Sequence, residues 1–286
     1  MARIVFGTTP ILSHLTVIAK EKNLFRKNNI DIDFRNFFVG KKCMHALEKG
    51  WADMANVIDA NVAVLASQRK VKTKLVACSQ IRTDGTILAR RDQGISSPQS
   101  LVGKKVGYMK ETSSHVFLLY FCRHHRLNIE DFELVDIQTD QMERALLLGE
   151  IDACSIWQPF TTRTKIAAAR SDIDLISFKN EGFFKLYVAI AAHQKSLDKK
   201  QEEIQAVLHT LKEAEHFMAE NPDETDTILA GSLGMSLPFY KEISEDIDDK
   251  ITGFEDGFRK SVSTYAKWID ATQQINYEKF IDNALR

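Results

Sequence analysis

The chain has 286 residues, of which 44% are hydrophobic and 27% charged, and its formal net charge is -1. That is room for one large domain or two ordinary lobes with a proper core. The near-neutral balance excludes bulk attraction to nucleic acid or to an acidic membrane surface, and no apolar run approaches the ~18 residues of a membrane helix.

Arg3 to Phe6 is a compact apolar strand that begins almost at once, which leaves no place for a signal peptide. The chain is therefore expected to be cytoplasmic, or the mature part of an exported protein. Gly7 to Pro10 is a turn, and Ile11 to Lys20 has helical periodicity with Leu12, Leu15, Ile18 and Ala19 on one face. The polar stretch Glu21 to Asn29 ends that helix. Ile30 to Phe34 alternates as a strand, and Lys41 to Lys49 is a helix stopped by Gly50. A third strand begins at Ala52, with Asn56 to Asp59 as its exit loop. Asn61 to Ser67 is a helix and Lys74 to Cys78 a fourth strand.

Strands and helices in strict alternation predict an α/β fold with a largely parallel sheet. Ligands sit beyond the carboxyl ends of such strands. The loops Gly7 to Ser13, Phe38 to Lys41, Asn56 to Asp59 and Ser79 to Gly85 should then converge.

Thr86 to Arg90 is a further strand, and Arg91 to Pro98 a turn-rich break. Then the pattern restarts. Strands are predicted at Lys105 to Met109, Leu134 to Ile137, Ala153 to Ile156, Leu175 to Phe178 and Lys185 to Ala192. The helices between them are Ser114 to His124, Asp140 to Leu148 (stopped by Gly149) and Thr161 to Arg170. From Lys199 onward the reading is helical: Glu202 to Ala219, Asp223 to Ala230, Leu237 to Ile243, Gly257 to Trp268 and Tyr277 to Leu285. These helices should pack back onto the first sheet.

The stretch from Val102 to His115 carries the most chemistry. A strand turns into a helix that opens at Thr112, Ser113 or Ser114. Hydroxyl residues cap unpaired N–H groups at a helix start, and the same N–H groups form a ready anion site. Elsewhere the sequence excludes common chemistries. Cys43, Cys78, Cys122 and Cys154 are widely spaced and apolar in context, so they read as buried free thiols rather than zinc or redox ligands. The 8 histidines show no ligand spacing. No P-loop, Ser-His-Asp order or paired-carboxylate site is legible.

Two segments share a pattern: Ala46-Leu-Glu-Lys-Gly-Trp-Ala-Asp-Met54 and Ala145-Leu-Leu-Leu-Gly-Glu-Ile-Asp-Ala153. Each opens a strand after a helix, which implies two similarly built lobes. Each Asp is expected to fix the turn into its strand.

The order of Ala19 to Phe25, Ala46 to Asp53, Ser97 to Gly107, Ser113-Ser-His115 and Gly149 to Pro159 resembles the substrate-binding proteins of ABC importers for aliphatic sulfonates, taurine, nitrate and thiamine-pyrimidine precursors. The resemblance spans about Arg3 to Ala192. It implies a two-lobed type II periplasmic-binding-protein fold of the α/β class, with two parallel-rich sheets, flanking helices and two hinge crossings. The crossings fall near Thr86 to Arg90 and Lys185 to Ala189. One lobe is 1–86 with 188–286, including the helical tail, and the other is 87–187. The lobes would close on the ligand like a clamp.

The resemblance also implies a site. Thr112, Ser113, Ser114 and His115 would take an anionic head group, with Trp157 and Gln158 from the same lobe. Thr8, Thr9, Asn56, Asp59 and Arg82 would come from the other side. The chain departs from the sulfonate binders at Glu111, where they carry a glycine. The implied protein is a monomer that is not an enzyme. It uses no cofactor or metal, binds no nucleic acid, captures a small anionic ligand and serves an ABC permease. It would be periplasmic or lipid-anchored outside the cytoplasm. The alternatives are the sensing domain of a membrane receptor, or a pyrimidine- or menaquinone-pathway enzyme on the same fold.

Overall fold

A computed structural model describes residues 2–269, except 10, 12, 38, 39 and 67–71, together with residue 281. The chain divides into two compact units. Unit 1 comprises Met1–Ile81 and Leu186–Arg286, and unit 2 comprises Arg82–Lys185.

Unit 1 is built on a six-stranded mixed sheet. Its strands are β1 (Ile4–Thr8), β2 (Ile32–Asn36), β3 (Met54–Ile58), β4 (Thr73–Arg82), β10 (Leu186–His193) and β11 (Ile247–Thr252). Their order is β11-β4-β10-β3-β1-β2. β1 pairs in parallel with both β2 and β3, and β10 lies antiparallel to β3, with Ile190 opposite Asn56. The helices are α1 (His14–Glu21), α2 (Leu24–Lys27), α3 (Gly40–Glu48) and α4 (Asp59–Ala66) from the first segment. The second segment adds α8 (Gln194–Lys199), α9 (Gln201–Glu220), α10 (Pro222–Ser232), α11 (Leu237–Ser244) and α12 (Asp256–Ile269). One buried cluster joins sheet residues Ile4, Phe6, Met54 and Ile190 to Leu15 and Ile18 of α1 and to Ile204, Leu208 and Leu211 of α9. The tail thus returns to the first sheet because the apolar face of α9 needs that cover.

Unit 2 repeats the plan on five strands. These are β5 (Thr86–Arg90), β6 (Lys105–Tyr108), β7 (Glu133–Asp136), β8 (Ala153–Ile156) and β9 (Leu175–Lys179), in the order β7-β6-β8-β5-β9. β6 is parallel to β7 and β8, while β5 is antiparallel to β8 and β9. The helices are α5 (Ser113–His125), α6 (Thr139–Leu148) and α7 (Phe160–Arg170).

The sequence repeat has a physical basis. Gly50 and Gly149 follow α3 and α6 with φ of 69° and 73°, the left-handed conformation that ends a helix at little cost to glycine. Three residues later the two aspartates do the same work. Asp53 Oδ2 accepts from the Val5 N–H at 2.8 Å, and Asp152 Oδ2 accepts from the Lys105 N–H at 2.8 Å. Their backbone N–H groups return the bond to the Val5 and Lys105 carbonyls, at 2.8 and 2.9 Å. Each aspartate therefore clips the third parallel strand of its unit to the first, β3 to β1 and β8 to β6. Asp53 does more: burial opposes its charge, but hydrogen bonds from Lys200, Ser196 and the Val5 N–H outweigh that and hold its carboxyl below the usual range.

Several sequence expectations are corrected. Residues 54–58 form a strand, so Asn56 lies within β3 rather than in an exit loop. β4 runs on to Arg82, which puts residues 79–82 in a strand, because this segment has a pairing partner in β10 for its backbone groups. The polar stretch after α1 holds the short helix α2, and α8 precedes α9. The tail is not wholly helical, since Ile247–Thr252 adds the edge strand β11. The helix expected over Tyr277 to Leu285 lies, Ile281 apart, outside the described residues; Ile281 makes a parallel bridge to Leu75.

Candidate functional site

In unit 1, the end of β1 and the middle of β3 present a buried polar cluster. Thr8 Oγ1 donates to Ser13 Oγ, and Ser13 Oγ donates to Asn56 Oδ1 at 2.6 Å. Asn56 Nδ2 donates to Ser79 Oγ at 3.4 Å, and Ser79 Oγ donates to the Val188 carbonyl at 3.3 Å. Thr9 is buried beside Thr8, and its hydroxyl has no partner among the described residues. The side chains come from β1, the turn before α1, β3 and β4, the loops and strand ends whose convergence a parallel sheet dictates.

Asp59 is not available to this cluster. At the start of α4 its Oδ1 accepts from the Ala60 N–H at 2.8 Å. Its Oδ2 accepts from Ser261 Oγ at 2.5 Å and from the Tyr187 N–H at 3.4 Å. The carboxyl therefore docks α12 onto α4. Burial pushes it up to about 6, against the pull of those hydrogen bonds.

In unit 2, α5 starts at Ser113 with Thr112 as its N-cap residue, yet the Thr112 side chain makes no cap hydrogen bond. Thr112 Oγ1 donates backwards to the Met109 carbonyl at 2.7 Å. Ser114 is also spent: its hydroxyl donates to the Ser155 carbonyl at 2.8 Å and accepts from the Met109 N–H at 3.1 Å, while Ser155 Oγ donates to the Ser114 carbonyl at 2.7 Å. This staple fixes the β6–α5 corner to β8. Ser113 is half-buried, and its hydroxyl has no partner among the described residues. His115 stacks at a tilt on Tyr108, 5.0 Å between ring centroids. Desolvation, then the Lys110 charge, holds its pKa below the ordinary value. The Lys110 charge acts on the ring in the same sense as its burial, while the carboxylates of Asp136, which accepts from the Lys110 N–H at 3.0 Å, and Glu111 oppose it.

Glu111 sits between Lys110 and Thr112 with φ of 61°. That conformation is the reason a glycine suits this position, and a side chain with a Cβ is strained there by about 1–2 kcal/mol.

Arg82 is fully buried and is not a loop cation. Its guanidinium grips Asp84 through Nε at 3.0 Å and Nη2 at 2.6 Å. The pair holds the main chain of Gln158: the Gln158 N–H donates to Asp84 Oδ2 at 2.9 Å, and its carbonyl accepts from Arg82 Nη2 at 3.4 Å. The Gln158 side chain folds onto Thr162, with Oε1 accepting from the Thr162 N–H and Nε2 donating to its hydroxyl. Trp157 is half-buried and meets Phe160 edge-on at 5.8 Å.

Within unit 1 the structure therefore brings Thr8, Thr9 and Asn56 together and turns Asp59 away. Within unit 2 it gathers Thr112 to His115 at one corner and Arg82 with Gln158 at another. Sequence reasoning did not single out Ser13, Ser79, Asp84 and Lys110. The first two lay in loops expected to converge, and Asp84 stands two residues from Arg82, a spacing that could have suggested a local pair.

The four cysteines are buried and free. Burial pushes Cys43, Cys122 and Cys154 up to about 12 and Cys78 to about 11, which removes their thiolate chemistry. Among the described residues no helix is long and apolar enough to cross a membrane, and no group of three or more His, Cys, Asp or Glu could hold a metal ion.

Residues 13–225 match the model of the family described as NMT1/THI5 like. A chain named as a binding protein in Brucella abortus (strain 2308) is 24% identical over 273 residues, covering 88% of this chain and 82% of that one. The taurine-binding periplasmic protein of Escherichia coli (strain K12) is 26% identical over 143 residues, covering 50% of this chain and 44% of the other. Among solved structures, the alkanesulfonate-binding protein SsuA from Xanthomonas axonopodis pv. citri, bound to MOPS, superposes with a TM-score of 0.83 at 17% identity, covering 99% of this chain and 98% of that chain.

Proposed function

Because the chain belongs to the NMT1/THI5 like family, we propose that it is a solute-binding protein that captures a small anionic organic ligand, sulfonate-like in its head group, and delivers it to an ABC importer on the outer side of the membrane. The observation that carries the reading is the start of α5. A helix of 13 residues starts with backbone N–H groups that its N-cap residue leaves uncapped, because Thr112 directs its hydroxyl to the Met109 carbonyl; Ser114 directs its own to the Ser155 carbonyl. Such an end carries about half a positive charge and favours an anion. Ser113 adds a hydroxyl with no competing partner among the described residues, and Lys110 adds a positive charge that the Asp136 and Glu111 carboxylates partly offset. The fold and relatives named as binding proteins support the same reading.

The arrangement does not favour covalent or acid–base chemistry. The thiols are protonated by burial, Asp59 is spent on α12, and Arg82 is neutralised by Asp84. The ligand is held by donors that replace its water shell, and its release is left to a partner that favours the unliganded form.

The test is titration calorimetry with short alkanesulfonates, with inorganic nitrate and a thiamine pyrimidine as comparisons. Sulfonate binding that Ser113→Ala weakens by about 1 kcal/mol supports the head-group site. Binding of the pyrimidine alone, or turnover of any compound, would overturn it. A receptor-sensing role is separated by whether an importer permease co-purifies with the liganded protein.

A further inference from the structure

The chain enters unit 2 at Arg82 and leaves it after Lys185, so the main chain passes between the units twice. One side chain of unit 2 ties the entering segment to the leaving one. Asn180, the residue after β9, donates from Nδ2 to the Thr83 carbonyl at 3.0 Å and to the Phe184 carbonyl at 2.7 Å. Its Oδ1 accepts from the Phe184 N–H at 3.1 Å, and its own N–H donates to the Gly85 carbonyl at 3.2 Å. Both amide hydrogens and the amide oxygen are thus in use. The orientation has one solution, because a reversed amide would aim its oxygen at two carbonyls. A turn from Asn180 to Phe184 needs only the bonds to Phe184. The bond to Thr83, 97 residues away, serves no turn.

Further contacts seat the two segments on one ring of α5. A Cβ on Gly85 would lie 2.3 Å from Phe117 Cδ2, so only glycine lets the entering segment lie this close to the helix. Phe117 also stacks on Phe183 with ring centroids 5.7 Å apart and meets Phe184 edge-on at 5.4 Å. Between Phe184 and the first residue of β10 only Lys185 is left, and it is exposed. We propose that Asn180 is a latch: it makes the entering and leaving segments of unit 2 one cooperative element, so that they open together and not one at a time. A rearrangement that needs both crossings to yield then proceeds in one step. The latch needs no ligand and stands apart from the solute-binding reading.

The experiment is native-state hydrogen exchange of the full chain in low urea, read by mass spectrometry on peptides covering residues 82–88 and 181–187. In the unaltered protein the two peptides are expected to open with the same urea dependence. Asn180→Asp keeps an acceptor for the Phe184 N–H but puts an oxygen in place of the nitrogen that meets the Thr83 carbonyl. It is the decisive variant, because it preserves the turn and breaks the latch. Exchange in both peptides is expected to rise about tenfold, the effect of losing one or two net hydrogen bonds. Asn180→Ala should do the same. A peptide over β7 should exchange as before, which separates release of the latch from a general loosening of unit 2.

Faster exchange at 181–187 alone would overturn the inference, since Asn180 would then only close its own turn. A rise that includes β7 would do so too, by making Asn180 a support of the whole unit. An Asn180→Asp variant that exchanges like the unaltered protein at both segments has the same consequence, as do unlike urea dependences for the two peptides before any substitution. That last comparison needs no variant, so a variant that fails to fold does not remove the test. None of these results bears on the solute-binding reading.

Discussion

Asp59→Asn offers the sharpest test of the energetics in unit 1. Asp59 is 1% exposed, and its burial raises the carboxyl from 3.8 to about 6. A displacement of about two units at roughly 1.4 kcal/mol per unit corresponds to about 3 kcal/mol. The sign follows from proton binding. Between pH 3.8 and 6 the folded carboxyl keeps a proton that the unfolded chain releases. The stabilisation is therefore fully present below pH 3.8 and is lost as pH rises through 6. The variant cannot titrate there, so the difference between the two proteins isolates this group. Its amide still accepts from the Ala60 N–H, and the Ser261 hydroxyl can reverse to accept from Nδ2, but the Tyr187 N–H loses its acceptor. That loss costs about 1 kcal/mol at every pH. Urea unfolding of both proteins at about pH 4 and about pH 7.5 should show the wild type losing about 3 kcal/mol relative to the variant over that interval. A difference that stays constant with pH would refute the assignment of a buried, proton-binding Asp59.

Three further outcomes follow from the site. Arg82→Met or Asp84→Asn alone should each destabilise the protein by about 3–5 kcal/mol in urea melts, because either leaves one buried charge unpaired, while the double variant should cost much less than the sum; additivity would show that the two charges do not compensate each other. Ser114→Ala should lower stability by about 1–3 kcal/mol through loss of the staple to Ser155, whereas Ser113→Ala should leave the melting temperature unchanged and act on ligand affinity alone; the reverse pattern in calorimetry and thermal melts would exchange their roles. Glu111→Gly should be neutral to stabilising, by up to about 1 kcal/mol, because it relieves the left-handed strain. It should also tighten anion binding at low salt more than at high salt, because it removes a carboxylate beside the helix start; weaker anion binding in the variant would contradict the electrostatic account.

Much of the fold was legible because it rests on local signals. Gly50 and Gly149 announced helix ends, and apolar runs such as Ala153 to Ile156 announced buried strands. β11 was hidden because Asp248, Asp249 and Lys250 interrupt its apolar positions, and an edge strand with one buried residue needs no more pattern than that. Asn56 was read as loop because asparagine favours turns, but its partners hold it inside β3. Arg82 and Ser114 show a different limit. An arginine followed by Thr-Asp and a serine at a helix start both carry plausible ligand-binding chemistry in sequence. Burial against Asp84, and a carbonyl 41 residues away at Ser155, commit them to structure. Residue type reports what a side chain can donate or accept; only the fold reports whether that capacity has already been used.

The two units are alike in frame and different in what they leave unspent. Both place an antiparallel strand beside the third parallel one, β10 against β3 and β5 against β8, and both clip that third strand with an aspartate at its entry. In unit 1 the polar groups at the strand ends form a directed chain from Thr8 through Ser13 and Asn56 to Ser79, and the Thr9 hydroxyl beside it has no partner among the described residues. In unit 2 the hydroxyls of Thr112 and Ser114 are drawn back into the β6–α5 corner, so what remains is a set of donors at the start of α5. Internal hydrogen bonding thus decides, in two corners built on the same plan, which polar groups are already committed.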